Sequence, residues 1–432
     1  MNRTIPTRPC WVEIRAQALE DNFRFLKKLA EPHAEVLAVL KANAYGHSLA
    51  ICAPALVRAG ANWLGVNSVE EGAAARAACP ADAEPGLHID SHTGGHVEPH
   101  GDPHILVIGG VFAGQGEAVI RHGLTPVIWE PWQLDELETA ARAAGIQAGS
   151  LPVHLEIDTG MSRQGVSPEN VGLILARITP GSPFRFEGIM THLFAADEAD
   201  GRVTAEQLAR LDETLNRIEF AGQFAEWLNV GNSATLLSGQ ARDLAEMAAR
   251  HGMKAMLRPG LALYGVVPRY VSGFRPDFEA AEPEGLPAAR EALRPVLEWK
   301  SQVVGVRHVE AGAVVGYNGT FVATEPMRLA LVAIGYADGF DRKLGNRFSL
   351  LVRGKRAPVV GRVSMDQTVI DVTEIAGVEA GDEVVIIGSQ GGSQDGSQGA
   401  ERITAFDHAD ASETIPWEVF TRIGARVERR AV

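Results

Sequence analysis

A chain of 432 residues exceeds the usual size of one domain, so two domains, one of them a large barrel, are the working expectation. Hydrophobic residues make up 46% and charged ones 22%, as in an ordinary soluble globular protein, and no apolar stretch nears the roughly eighteen residues that span a bilayer. The net charge of −14 argues against a general nucleic-acid binder, and Cys10, Cys52 and Cys79 are too few and too scattered for a disulfide framework or a zinc site.

The first ten residues, M-N-R-T-I-P-T-R-P-C, lack the apolar core of a secretory signal, so the cytoplasm is the expected location. Residues 11–15, W-V-E-I-R, alternate apolar and polar and predict a half-buried strand. Next comes V-L-A-V-L-K-A-N-A-Y-G-H, in which Val36, Leu37, Val39 and Leu40 form a non-alternating run, the pattern of a strand buried on both faces of a parallel sheet. Lys41 ends that run. Desolvating an ammonium is costly, so such a lysine is paired, shifted toward the neutral amine that can form a Schiff base, or extended into solvent. The stretch alone leaves these open.

A helical stretch at 51–59, a strand W-L-G-V at Trp63 and an Ala-rich helix over 69–78, capped by Ser68 with Glu70 and Glu71 in its first turn, follow. Further apolar strand candidates lie at 105–108, 126–129, 153–157, 186–190, 227–230 and 256–257, mostly separated by helix-like segments. With the runs at Val36 and Trp63 they make eight. The expected fold class is therefore α/β, a (β/α)8 TIM-type barrel over 16–266, in which functional residues sit at the C-terminal strand ends.

The candidate residues fall at those ends. Lys41 ends the first barrel strand, Arg163 lies in D-T-G-M-S-R-Q-G after the fifth, and His192 ends the sixth in G-I-M-T-H. After the seventh, Gly231, Asn232 and Ser233 offer backbone N–H groups and a hydroxyl at a helix start, and after the eighth come Arg258 and Gly260 in L-R-P-G-L-A-L-Y-G. Either Gly-rich loop alone reads as a plain turn. Two of them where barrels of this type hold phosphate point to an anion site.

Residues 267–294, rich in Pro, Glu and Ala, read as a linker or insertion. Residues 295–432 change to short β-rich runs, among them Q-V-V-G-V, R-L-A-L-V-A-I, P-V-V-G-R-V and E-V-V-I-I-G, and predict a C-terminal all-β domain, joined by the N-terminal strand 10–15. Residues 388–400, Gly-, Ser- and Gln-rich, read as a flexible loop. His88, His92, His96, His100 and His104 recur every four residues, but Gly94, Gly95, Pro99, Gly101 and Pro103 preclude a helix, so the row reads as a loop and no metal site is expected.

From Trp11 onward the chain resembles the alanine racemase family. V-L-K-A-N-A-Y-G-H, I-D-T-G-M-S-R-Q-G, T-H-L-F-A-A-D-E, G-N-S-A, R-P-G-L-A-L-Y-G, V-G-Y-N-G-T-F, I-G-Y-A-D-G and G-R-V-S-M-D-Q stand in family order. The resemblance implies a pyridoxal 5'-phosphate enzyme that interconverts L- and D-alanine with two bases, one on each face of the substrate Cα. Lys41 would carry the cofactor and act as one base, and Tyr317, from the β domain of a partner subunit, as the other. A free tyrosine has a pKa of about 10, so its neighbours must tune it. His192 would contact that tyrosine, and Arg258 both the histidine and the pyridine nitrogen, leaving the ring unprotonated and disfavouring transamination.

By the same resemblance Tyr45, Asn232, Ser233, Gly260, Leu261 and Trp417 would surround the cofactor phosphate. Arg163 and the Met365 amide would bind the substrate carboxylate, and Tyr336 would narrow the entrance. The implied assembly is a head-to-tail homodimer with shared sites, with no nucleic-acid or membrane partner. Two positions depart from the family pattern. Glu156 stands where many members have a carbamylated lysine that positions the arginine; its carboxylate could pair with Arg163 without modification, on a shorter arm. Trp417 replaces a tyrosine that donates to the phosphate. The competing readings are a racemase for another or several amino acids, a basic amino-acid decarboxylase of the same plan, and a non-catalytic pyridoxal-phosphate-binding protein.

Overall fold

The computed structural model describes residues 8–79, 102–198, 200–270, 283, 285–392 and 399–432. These fall into two compact units, one within Ala16–Ala44 and Leu49–Pro295, the other within Met1–Arg15, Tyr45–Ser48 and Val296–Val432.

Strand β1 (Cys10–Ile14) belongs to the second unit. In the first, β2 (Ala34–Val39), β3 (Trp63–Val66), β4 (His104–Val107), β5 (Thr125–Ile128), β6 (Leu151–Glu156), β7 (Phe184–Met190), β8 (Trp227–Asn229) and β9 (Lys254–Leu257) close into a barrel. All eight expected strands form. Their runs do not alternate because both faces are covered: every residue of β3 and β5 is buried. Closure pairs β2 with β9 in parallel, with Ala34 opposite Ala255 and Val36 opposite Leu257. Lys41 and Arg258 therefore leave neighbouring strands at the same end of the barrel.

The connecting helices start where local chemistry starts them. Ser68 Oγ accepts the Glu71 N–H at 3.3 Å and opens Val69–Ala78. Pro131 occupies the first turn of Pro131–Ala143, whose capping box joins Glu130 and Gln133. The residues read as a linker include a helix, Gly285–Ala292, while 271–282 and 284 lie outside the described residues. Of the histidine row, His88, His92, His96 and His100 also lie outside them. His104 opens β4 and stacks on Trp63 with ring centroids 4.4 Å apart.

The second unit is mostly strand. Its spine is the long strand β10 (Leu297–Val309), which pairs antiparallel with β1, Met327–Val332 and Glu383–Gln390. On its other side β1 runs parallel to Glu428–Ala431, with Trp11 opposite Glu428. Three expectations change here. The run 358–363 leaves its strand at Pro358, because beyond it only Val359 bridges, to Ile370. Gly388 pairs with Ile403, so the sheet continues through Gln390 into the stretch read as a loop; 393–398 lie outside the described residues. Two short helices, Ala405–Ser412 and Pro416–Thr421, interrupt the all-β pattern. Among the described residues no helix is long and apolar enough to cross a membrane.

Candidate active site

Behind Lys41 the backbone makes one left-handed turn, with φ of 54° at Ala42, 54° at Asn43, 56° at Ala44 and 52° at Tyr45. Each L-residue held there costs roughly 1–2 kcal/mol. Hydrogen bonds hold it: Ala44 N–H to Leu40 O at 2.7 Å, Asn43 N–H to Glu71 Oε1 at 2.9 Å, and Leu49 N–H to Asn43 Oδ1 at 2.8 Å. Strain kept this way concentrates at functional sites. Burial, then the positive fields of Arg163 and Arg258, hold the Lys41 amine below the ordinary lysine range, so more of it is neutral near pH 7.

Arg258 is buried, with both terminal nitrogens engaged. Its Nη1 donates to Asn229 O and Asn229 Oδ1, both at 2.5 Å, and its Nη2 to Thr191 O at 2.9 Å and toward His192 Nδ1 at 3.4 Å. Burial pulls it down to about 10, which still leaves it charged at neutral pH. His192 is pushed down to about 3 by burial and by Arg258, Arg163 and Lys41 around it. It is a neutral ring throughout the working range, with Nδ1 placed to accept from the guanidinium.

Glu156 ends β6 and is buried, which holds its carboxyl above the ordinary carboxylate range. The ion pair with Arg163 does not form; Glu156 accepts instead from Gln164 Nε2, which also donates to Ile108 O at 3.1 Å. Loop geometry explains the exchange of partners. Val166 N–H returns to Glu156 O and Asp158 N–H to Val166 O, each at 2.9 Å, which brings Gln164 to the carboxylate and leaves Arg163 exposed. Asp158 stabilises the bend by accepting the N–H groups of Gly160 at 2.9 Å and Ser162 at 3.1 Å.

The two Gly-rich loops meet through one hydroxyl. Ser233 Oγ accepts the N–H of Gly260 at 2.9 Å and of Ala262 at 3.2 Å. A hydroxyl has two acceptor lone pairs and one proton, so with both lone pairs engaged Ser233 keeps its proton to donate. The Gly260 N–H is spent on Ser233, and the Asn232 side chain caps Ser233–Leu237 by accepting from Ala234 at 2.9 Å and Thr235 at 3.2 Å. Leu261 opens the short 3-10 helix Leu261–Tyr264, whose Tyr264 hydroxyl donates to Val39 O at 3.0 Å.

The remaining candidates belong to the second unit. Tyr45 is buried, and burial pushes its phenol above the ordinary tyrosine range. Trp417 lies in the first turn of Pro416–Thr421. Tyr317, Tyr336 and Met365 are 67%, 43% and 53% exposed. The backbone brings the last two together: Tyr336 N–H bonds Ser364 O and Ala337 N–H bonds Met365 O, each at 3.0 Å. Beside Tyr336 runs a cleft lined by Gly339, Asp341, Arg342 and Arg422. Sequence reading missed Asn229, Thr191 and Gln164, which hold Arg258 and Glu156. As polar residues at strand ends or beside a marked arginine they carried a faint signal.

A closed parallel barrel with a strained strand-end lysine, a buried arginine on the adjoining strand and a serine hydroxyl between two loops defines a barrel enzyme built for an anionic ligand. The chain matches the family described as alanine racemase, N-terminal domain, over 14–268 and alanine racemase, C-terminal domain, over 296–431. It belongs to the alanine racemase family. It is 35% identical over 424 residues to the alanine racemase of Symbiobacterium thermophilum, covering 98% of this chain and 97% of that one. The crystal structure of alanine racemase from D-cycloserine-producing Streptomyces lavendulae superposes with a TM-score of 0.79 at 33% identity, covering 99% and 98% of the two chains. That from Bartonella henselae, solved with covalently bound pyridoxal phosphate, superposes with a TM-score of 0.76 at 25% identity, covering 99% and 100%.

Proposed function

We propose that this protein is a pyridoxal 5'-phosphate-dependent alanine racemase that interconverts L- and D-alanine. The observation that carries the reading is the barrel mouth, where burial, then the fields of Arg163 and Arg258, lower the Lys41 amine below the ordinary lysine range. Its donors fit the cofactor: a primary amine for the aldehyde, the Ser233 proton for the phosphate, and the fixed Arg258 guanidinium for the pyridine nitrogen. Bound there, pyridoxal phosphate supplies an electron sink that acidifies the substrate Cα–H.

The chain's own residues do the rest. Lys41 holds the cofactor and moves the Cα proton on one face, while Tyr317 moves it on the other. Arg258 stays charged and is held by Asn229 and Thr191, so it cannot readily pass a proton to the ring. Arg163 and the Met365 N–H hold the substrate carboxylate, Tyr45 and Trp417 complete the phosphate pocket, and Tyr336 restricts the entrance. A tyrosine 67% exposed is an unfinished catalytic group, which supports a head-to-tail homodimer in which Tyr317 serves the partner's site.

The test is proton NMR of the cofactor-loaded protein with L-alanine in deuterated water, followed by chiral analysis and a small amino-acid panel. Loss of the α-proton signal with D-alanine formation is expected. Exchange on a different amino acid alone would favour the second reading, a racemase redirected by Glu156 and Trp417. Exchange on none would leave a non-catalytic cofactor-binding protein.

A further inference from the structure

Tyr336 and Met365 are too exposed to be fixed by packing around their own side chains, yet their loops are tied together from beneath. The tie is Asp338, on the same 3-10 turn as Tyr336 (Tyr336–Asp338), with a side chain only 1% exposed. Its carboxylate accepts from Gly335 N–H at 2.8 Å, from Arg426 Nε at 2.8 Å, and from Arg8. Both arginines continue to the other loop. Arg426 Nη2 reaches Asp366 Oδ1 at 2.7 Å, and Arg8 also donates to Asp366 O. Gly424 N–H donates to Asp338 O at 2.9 Å, which anchors the segment that carries Arg426.

The two loops also approach at the limit of backbone contact. A Cβ on Gly335 would lie 2.3 Å from both Ser364 O and Met365 O, so only glycine permits the two bonds from Tyr336 and Ala337. A buried carboxylate is expensive unless paired, and apolar packing stabilises a fold at least as well, so such a group is best explained by the geometry it imposes. We propose that Asp338, acting through Arg426 and Arg8, is a positioning residue that sets the Tyr336 ring against the Met365 amide and so fixes which amino-acid side chains the site admits. The inference rests on the racemase reading above and adds the determinant of its size selectivity.

The test uses the cofactor-loaded protein and the variants Asp338→Asn, Arg426→Met, Arg426→Lys and Asp366→Asn. Each is measured for KM and kcat of α-proton exchange on L-alanine, for the preference of alanine over 2-aminobutyrate, and for melting temperature. Arg426 and Asp366 are 41% and 52% exposed at the side chain, so their variants carry the test if Asp338→Asn fails to fold. Arg426→Met is expected to raise KM about tenfold with kcat within about twofold, the pattern of lost binding rather than lost chemistry, and to erode the alanine preference. Arg426→Lys should restore part of both. A lower melting temperature with KM, kcat and preference unchanged would overturn the proposal and leave the cluster purely structural. A wild-type protein that exchanges no alanine would overturn the racemase reading instead, so the two failures are distinguishable.

Discussion

The barrel mouth and the Tyr317–Met365 face of the β unit solve opposite problems. At the barrel mouth three groups are set within their own unit: Arg258 is buried with both terminal nitrogens bonded, His192 is held neutral, and Ser233 is left with one proton to give. On the β unit Tyr317, Tyr336 and Met365 stand exposed, the last two on loops tied together through Asp338 and Arg426. Groups of the first kind are tuned by folding alone. Groups of the second kind are left exposed when folding is done.

Lys41→Ala should break the barrel side most completely. Loss of its acid–base role alone is worth about 10²–10⁴-fold, and the cofactor hold goes with it, so exchange in deuterated water should fall to background. Tyr317→Phe, which removes only an acid–base group, should cost about 10²–10⁴-fold in the same assay and leave melting unchanged. Mixing the two inactive variants under confirmed subunit exchange should restore activity; no rescue would mean that Tyr317 serves its own chain.

Arg258→Met should act mainly on stability. It strands the buried acceptors Asn229 Oδ1 and Thr191 O, each at about 1–3 kcal/mol, so the denaturation midpoint should drop well before activity is considered. Glu156→Gln is subtler. Burial holds this carboxyl above its ordinary 4.5, so the folded state binds the proton more tightly than the unfolded state. Its contribution is complete below 4.5 and is lost as pH rises through the raised value. Glutamine abolishes that slope, so relative to wild type the variant should gain stability between acid and neutral pH. Phe220→Ser, at a side chain 96% exposed, should shift stability by less than about 0.5 kcal/mol in denaturant titration.

The barrel was legible because a parallel strand covered on both faces is written as an unbroken run of Val, Ile and Leu, and strand ends identify themselves. Lys41, His192 and Arg258 were found in this way. The bond from Gln164 to Glu156 was not, because it depends on how the 156–166 loop doubles back, which no periodicity records. Asn229 closes the short strand W-L-N and looks like a turn residue, although it holds Arg258 twice. Pro416–Thr421 and Ala405–Ser412 were signalled, by a first-turn proline and a capping box from Thr404 to Asp407, but the surrounding β pattern obscured them. The left-handed turn after Lys41 was invisible: Ala42, Asn43, Ala44 and Tyr45 include no glycine to announce it.

Strand β1 has consequences for time as well as shape. Trp11 pairs with Lys300 on one side and Glu428 on the other, so a strand that precedes the barrel in the chain finds both its neighbours only after the barrel sequence. Throughout that interval its backbone edges are open to any other strand, including that of a second nascent chain. The pairing that closes the β unit therefore needs residues up to Ala431, long after the barrel sequence is complete.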